Sequence, residues 1–144
     1  MRYATLFLLI LCIMSSCSTI GSRTNPQELL AHRITVPEQY AWGKSNPHYD
    51  SSLDRYVRSY DQAWWSYIED LSHNIDDNRT ANARLGGSWP SDPSEVAGFR
   101  DGFTAAEARV HSLITRLGKQ QTQEVLKQAI EEILKTRGYP DLNK

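Results

Sequence analysis

Cysteine is almost missing from this chain: Cys12 and Cys17 are its two copies, and none follows from residue 18 to residue 144. That long remainder can form no disulfide, offer no thiol nucleophile and give no thiolate to a metal, so its fold must stand on its core. Long apolar runs are missing too. The longest spans Leu6 to Met14, nine residues, where a membrane-crossing helix needs about 20. Charge of one sign is also lacking, since 16 Lys and Arg face 17 Asp and Glu for a formal net charge of −1. With no basic block, the composition argues against nucleic acid as a partner and against electrostatic binding to membranes. No segment alternates polar and apolar residues in the manner of a half-buried strand. No Gly-x-Ser-x-Gly elbow is present, the glycines form no phosphate-cradling loop, and Glu-x-x-His does not occur. No cofactor is implied.

What is present begins at the N-terminus. Arg2 precedes the apolar run Leu6–Met14, which closes on Ser15-Ser16-Cys17. The order (positive, apolar, small, cysteine) resembles a bacterial lipoprotein signal peptide ending in a lipobox, over residues 1–17 only. Met14 stands where such motifs usually carry Leu. The run fits the apolar region of a cleaved export signal; a plain secretory signal would also end on small residues, and an apolar N-terminus can arise by chance. The resemblance implies that residues 1–16 are removed and that the Cys17 sulfur carries a diacylglycerol, with a third chain on its freed amine. Two or more chains anchor stably, each buried methylene contributing about 0.8 kcal/mol. Ser18 follows, where Asp would retain a lipoprotein of a Gram-negative bacterium in the inner membrane. The implied address is therefore the outer membrane, facing the periplasm.

Residues 17–24 read as the lipidated cysteine and a small polar tether, and residues 25–144 as one helical domain. Asn25-Pro26-Gln27-Glu28 has the cap, first-turn proline and capping-box Glu of a helix start, predicting a short helix over about 26–34. Residues 35–50 hold Pro37, Gly43 and Pro47 and read as loop, carrying the aromatics Tyr40, Trp42 and Tyr49. From Ser51, apolar residues recur in steps of three and four through Leu53, Tyr56, Tyr60, Trp64, Tyr67, Leu71 and Ile75. No Gly or Pro interrupts the chain before Gly86-Gly87, which predicts one long helix over about 51–85. Asp92-Pro93-Ser94-Glu95 opens a second helix, 93–117, and Gly118 separates it from a third, 121–137, that Gly138 and Pro140 end. Residues 53–71 and 96–114 echo one another at an offset of 43, as any two amphipathic helices can. The expected architecture is all-α: three main helices packed as an antiparallel bundle, with the short N-terminal helix against them.

Few constellations carry chemistry. His73 with Asp76 and Asp77 is spaced to share a helix face, and a divalent metal would need a further His or carboxylate brought in, for which His111 of the next helix is a candidate that nothing in the spacing requires. A solvated helix end explains the same residues. Trp64 and Trp65 project about 100° apart, so Trp64 falls on the apolar stripe and Trp65 off it. Trp65 is thus set for a second layer of the same domain, a partner protein or a bilayer surface. Trp89 is either a lid over the helix ends or an exposed contact, and Trp42 sits in the aromatic loop. The reading favoured is a membrane-anchored envelope lipoprotein, non-enzymatic, binding or scaffolding an envelope protein or cell-wall component. Its contact candidates are Trp42, Trp65 and Trp89. The alternative is a small metal-dependent hydrolase of envelope polymers using His73, Asp77 and His111.

Overall fold

The computed structural model describes residues 26–41 and 51–137. Among them six helices follow in order: α1 (Gln27–Leu30), α2 (Glu38–Ala41), α3 (Ser52–His73), α4 (Ala81–Arg84), α5 (Pro93–Leu117) and α6 (Lys119–Arg137). No strand occurs among the described residues. The three long helices pack on one another as an all-α bundle. Cys17, Trp42, Gly138 and Pro140 lie outside the described residues.

The stripe read from α3 is the buried one. Tyr56, Trp64, Ile68 and Leu71 are all nearly inaccessible, and Val110, Leu113, Leu126 and Ala129 meet them from α5 and α6. A side chain such as Ile68 or Leu126, at 0 % exposure, contributes about 1.5–3 kcal/mol by leaving water. α5 begins where its local signals put it. The Asp92 side chain accepts from the amides of Ser94 and Glu95, and Pro93 fills the first turn. Gly118, with φ of +78°, turns the chain directly into α6, which starts at Lys119, two residues earlier than expected.

The helix expected over 51–85 does not continue past His73. Asn74 is extended (φ −140°, ψ 101°), and its side-chain oxygen takes the Asp76 amide at 3.2 Å. Asp77 in turn accepts from the Arg79 amide at 3.0 Å. Short polar side chains here offer the backbone an alternative to the helical ladder. A distant residue completes the stop: Gln123 of α6 donates from Nε2 to the carbonyls of Ser72 and His73, at 3.0 and 3.1 Å. Thr80 then caps the single turn of α4, and the Gly86-Gly87 pair, both with positive φ, closes that turn and not α3. The N-terminal helix is also shorter than 26–34. Ile34-Thr35-Val36 precede Pro37, and β-branched residues before a proline favour extended backbone.

The helices differ from expectation in sense as well. Tyr56 lies against Gly98 and Tyr60 against Gly102, so residue numbers rise together along both helices. Ser59 Oγ ties the same two helices together, donating to the Glu95 carbonyl at 2.7 Å. α3 and α5 are therefore parallel, at nearly the offset at which their apolar residues echo. α6 starts beside the C-terminal end of α3 and turns back, the one long helix that opposes the other two. The physical reason is the early end of α3. Residues 74–92 become a crossover that returns the chain to the start of α3, where Arg55 pairs with Asp92. The crossover is pinned inward by Arg84, whose side chain is 3 % exposed and pairs with Asp70. Its guanidinium lies 4.9 Å from the Tyr67 ring centre and 5.6 Å from that of Phe103.

α3 and α5 approach so closely that a Cβ at Gly98 or Gly102 would overlap the backbone carbonyl of Tyr56 or Tyr60. Two glycines one turn apart are what permits that contact.

Candidate functional site

Residues 26–33 lie across the bundle rather than within it. Leu29 is fully buried and fastens α1 to the core. Beside it, Glu28 Oε2 stands 3.1 Å from both Arg109 and Arg116 of α5. His32 follows, its side chain only 7 % exposed. The imidazole stacks on Trp64 with centres 4.4 Å apart and an angle of 10°, and meets Trp65 edge-on at 5.8 Å. Trp64 and Trp65 thus serve one purpose between them, a corner into which His32 fits. Trp65 takes up the second-layer position within the fold that its place off the stripe allowed.

This corner is unusual in its hydrogen bonding. Both ring nitrogens of His32 and the indole nitrogens of Trp64 and Trp65 are buried with no hydrogen-bond partner. His32 Nε2 is 3.1 Å from Asp61 Oδ1, but out of line for a hydrogen bond, so Asp61 contributes charge nearby and no bond. A buried polar atom without a partner costs about 1–3 kcal/mol, and folded proteins keep few. Here several gather in one aromatic corner. A groove of about 480 Å³ opens there, lined by His32, Arg33, Tyr60, Trp64, Arg109 and Ser112, with Ala31, Ala105 and Ala108 leaving it room. A second groove, about 600 Å³, lies along Ile34, Val36, Leu53 and Val57, and its walls hold no buried polar atom without a partner. Asp54, Arg58 and Asp61 line the second groove as well, so what sets the first apart is the orphaned ring nitrogens buried behind its wall.

The metal trio is not assembled. His73 is exposed at the end of α3 and His111 is exposed on α5. Asp77 accepts from the Arg79 guanidinium through both carboxylate oxygens, at 3.1 and 2.8 Å, and this bonding holds its carboxyl below the usual range. Among the described residues no three His, Cys, Asp or Glu side chains converge. Trp89 lies over the start of α5: its indole donates to Asn82 at 2.8 Å and its ring meets Phe99 edge-on at 6.0 Å. Arg100 covers the indole at 5.9 Å. Tyr56 donates to Asp101 at 2.7 Å, and burial first, then that carboxylate, pushes the phenol well above its ordinary value. It is a structural phenol.

His32 did not stand out in the sequence. It sits outside any long helix, and the one trace of its site was the Trp64-Trp65 pair, half of it off the stripe. No family model matches the chain, and no curated protein or solved structure is significantly similar to it, so the site rests on its own geometry.

Proposed function

We propose that this chain is a lipid-anchored lipoprotein of the bacterial envelope, held in the outer membrane facing the periplasm, whose helical domain binds another envelope component. The observation that carries the reading is the order of residues 1–17: a cation, nine apolar residues, two serines and Cys17. Among the described residues no helix is long and apolar enough to cross a membrane. Acyl chains on Cys17 would supply attachment, and residues 18–24 would hold the domain clear of the surface. Binding is supported by the groove of about 480 Å³ beside His32, which carries Arg33, Arg109 and Glu28 in its wall.

The experiment is labelled-palmitate incorporation with membrane fractionation, comparing the chain with its Cys17→Ala variant. Label and membrane attachment that both depend on Cys17 support the reading. A wild-type chain that takes up no label and is released as soluble protein ends it.

A further inference from the structure

We propose that the exported chain is a glycan acceptor, modified on the side-chain amide of Asn78 in the segment 74–80 that joins α3 to α4. The inference rests on the export implied by residues 1–17, and neither on the groove beside His32 nor on the lipid itself.

The residues of an acceptor are in place. Asn78-Arg79-Thr80 sets an asparagine, a residue other than proline and a hydroxyl in the order that N-linked glycan transfer requires. Asp76, two residues before the asparagine, supplies the acidic position of the longer motif that bacterial transferases use. Such a run inside a helix or under a side chain would be out of a transferase's reach. Here segment 74–80 belongs to no helix, and Asn78, Arg79 and Thr80 are all exposed.

The amide itself is uncommitted. The asparagines on either side are both engaged: Asn74 Oδ1 accepts the Asp76 amide at 3.2 Å, and Asn82 Oδ1 accepts the Trp89 indole at 2.8 Å. Asn78 enters no hydrogen bond or ion pair among the described residues. Its neighbour Asp77 is held toward the bundle, 10 % exposed, 2.8 Å from Arg79 and 3.4 Å from the buried Arg84. The segment is thus fastened from within at the residue before the acceptor, while the acceptor stays in water. Thr80 Oγ1 accepts the Ala83 amide at 3.3 Å, which leaves its proton free to donate. A glycan on Asn78 therefore displaces no contact of the fold, and its bulk belongs on such a surface.

The co-reactant is a glycan carried on a polyprenyl diphosphate, brought together with the chain by a membrane transferase on the outer face. The Asn78 amide nitrogen attacks the anomeric carbon. A C–N bond forms, the C–O bond to the diphosphate breaks, polyprenyl diphosphate leaves, and the amide gives one proton to a base.

The test produces the full chain in its own organism, separates envelope from cytoplasm, and reads the peptide carrying Asn78 by mass spectrometry. The envelope chain is expected to carry a glycan mass on that peptide. Asn78→Gln, Asp76→Ala and Thr80→Ala should each lose it, and Thr80→Ser, which keeps the hydroxyl, should retain it. Cys17→Ala should retain it too, because export depends on the apolar segment and not on the sulfur. A bare Asn78 in the envelope chain overturns the inference and leaves the export reading standing, whereas a bare chain confined to the cytoplasm overturns both. A glycan mass that persists in Asn78→Gln or Thr80→Ala overturns the inference as well.

Discussion

Gly98→Ala is the substitution that most directly tests the packing of α3 on α5. In an exposed helix the change would help, since Ala is favoured over Gly by about 1 kcal/mol. Here a Cβ overlaps the Tyr56 carbonyl oxygen and crowds the carbonyl carbon and Cα behind it. These are main-chain atoms in the middle of a helix, so no rotamer change can relieve the overlap. The two helices must separate by about 1 Å to restore ordinary contact, and dispersion weakens steeply over such a gap. Overpacking of this kind costs about 1–3 kcal/mol, and the loss spreads to the neighbouring contacts of Tyr60, Phe99 and Phe103. Because the overlap is with main-chain atoms the cost falls in the upper part of that range, and set against the gain in propensity it leaves a net loss of about 1–2 kcal/mol, or a fall in Tm of about 4–8 °C. Gly102→Ala should behave alike against Tyr60, and the double variant should lose less than the sum, because one separation relieves both overlaps. Thr104→Ala, on the exposed side of α5, is the control and should be neutral or slightly stabilising. Thermal and urea unfolding followed by circular dichroism decide the matter. A Gly98→Ala chain that melts at or above the wild-type temperature would refute the close parallel packing.

Two further outcomes follow from the crossover and its anchor points. Arg84→Met should cost about 2–4 kcal/mol in urea unfolding, since it removes a buried guanidinium from Asp70, Tyr67 and Phe103, with Arg84→Lys between it and wild type; equal stability of all three would show that the crossover is held by something else. Hydrogen bonds from Ser94 first, then Arg55, hold the Asp92 carboxyl down at about 2 against an ordinary 3.8. Its folded-state pKa is depressed, so its contribution is whole above about pH 4 and is lost as pH falls through about 2, where the folded state also takes up the proton. The gap in Tm between wild type and Asp92→Asn should therefore narrow from pH 5 to pH 2, and a constant gap would contradict this linkage.

The second long helix shows how far local signals reach. Asp92, Pro93, Ser94 and Glu95 sit within one turn and satisfy one another's needs, so the start of α5 is legible without any knowledge of its neighbours. The same holds for the apolar stripe of α3, whose spacing marked Tyr56, Tyr60, Trp64 and Ile68 for the interior where they lie. Asn74 shows the opposite case. No Gly or Pro marks the end of α3; the stop depends on side-chain bonds within the turn and on Gln123, about fifty residues away in the chain.

The all-α class, the buried faces of the long helices and the capped start of α5 were determined by the sequence alone, because each depends on residues within a turn or two of one another. The parallel sense of α3 and α5, the inward anchor of Arg84 and the corner of His32, Trp64 and Trp65 were decided only by the tertiary structure. Each needs groups far apart in the chain to meet, and their meeting is set by the path of a crossover whose course no local period records. The Gly98–Gly102 spacing was visible throughout, yet its meaning required the Tyr56 and Tyr60 carbonyls that press against it.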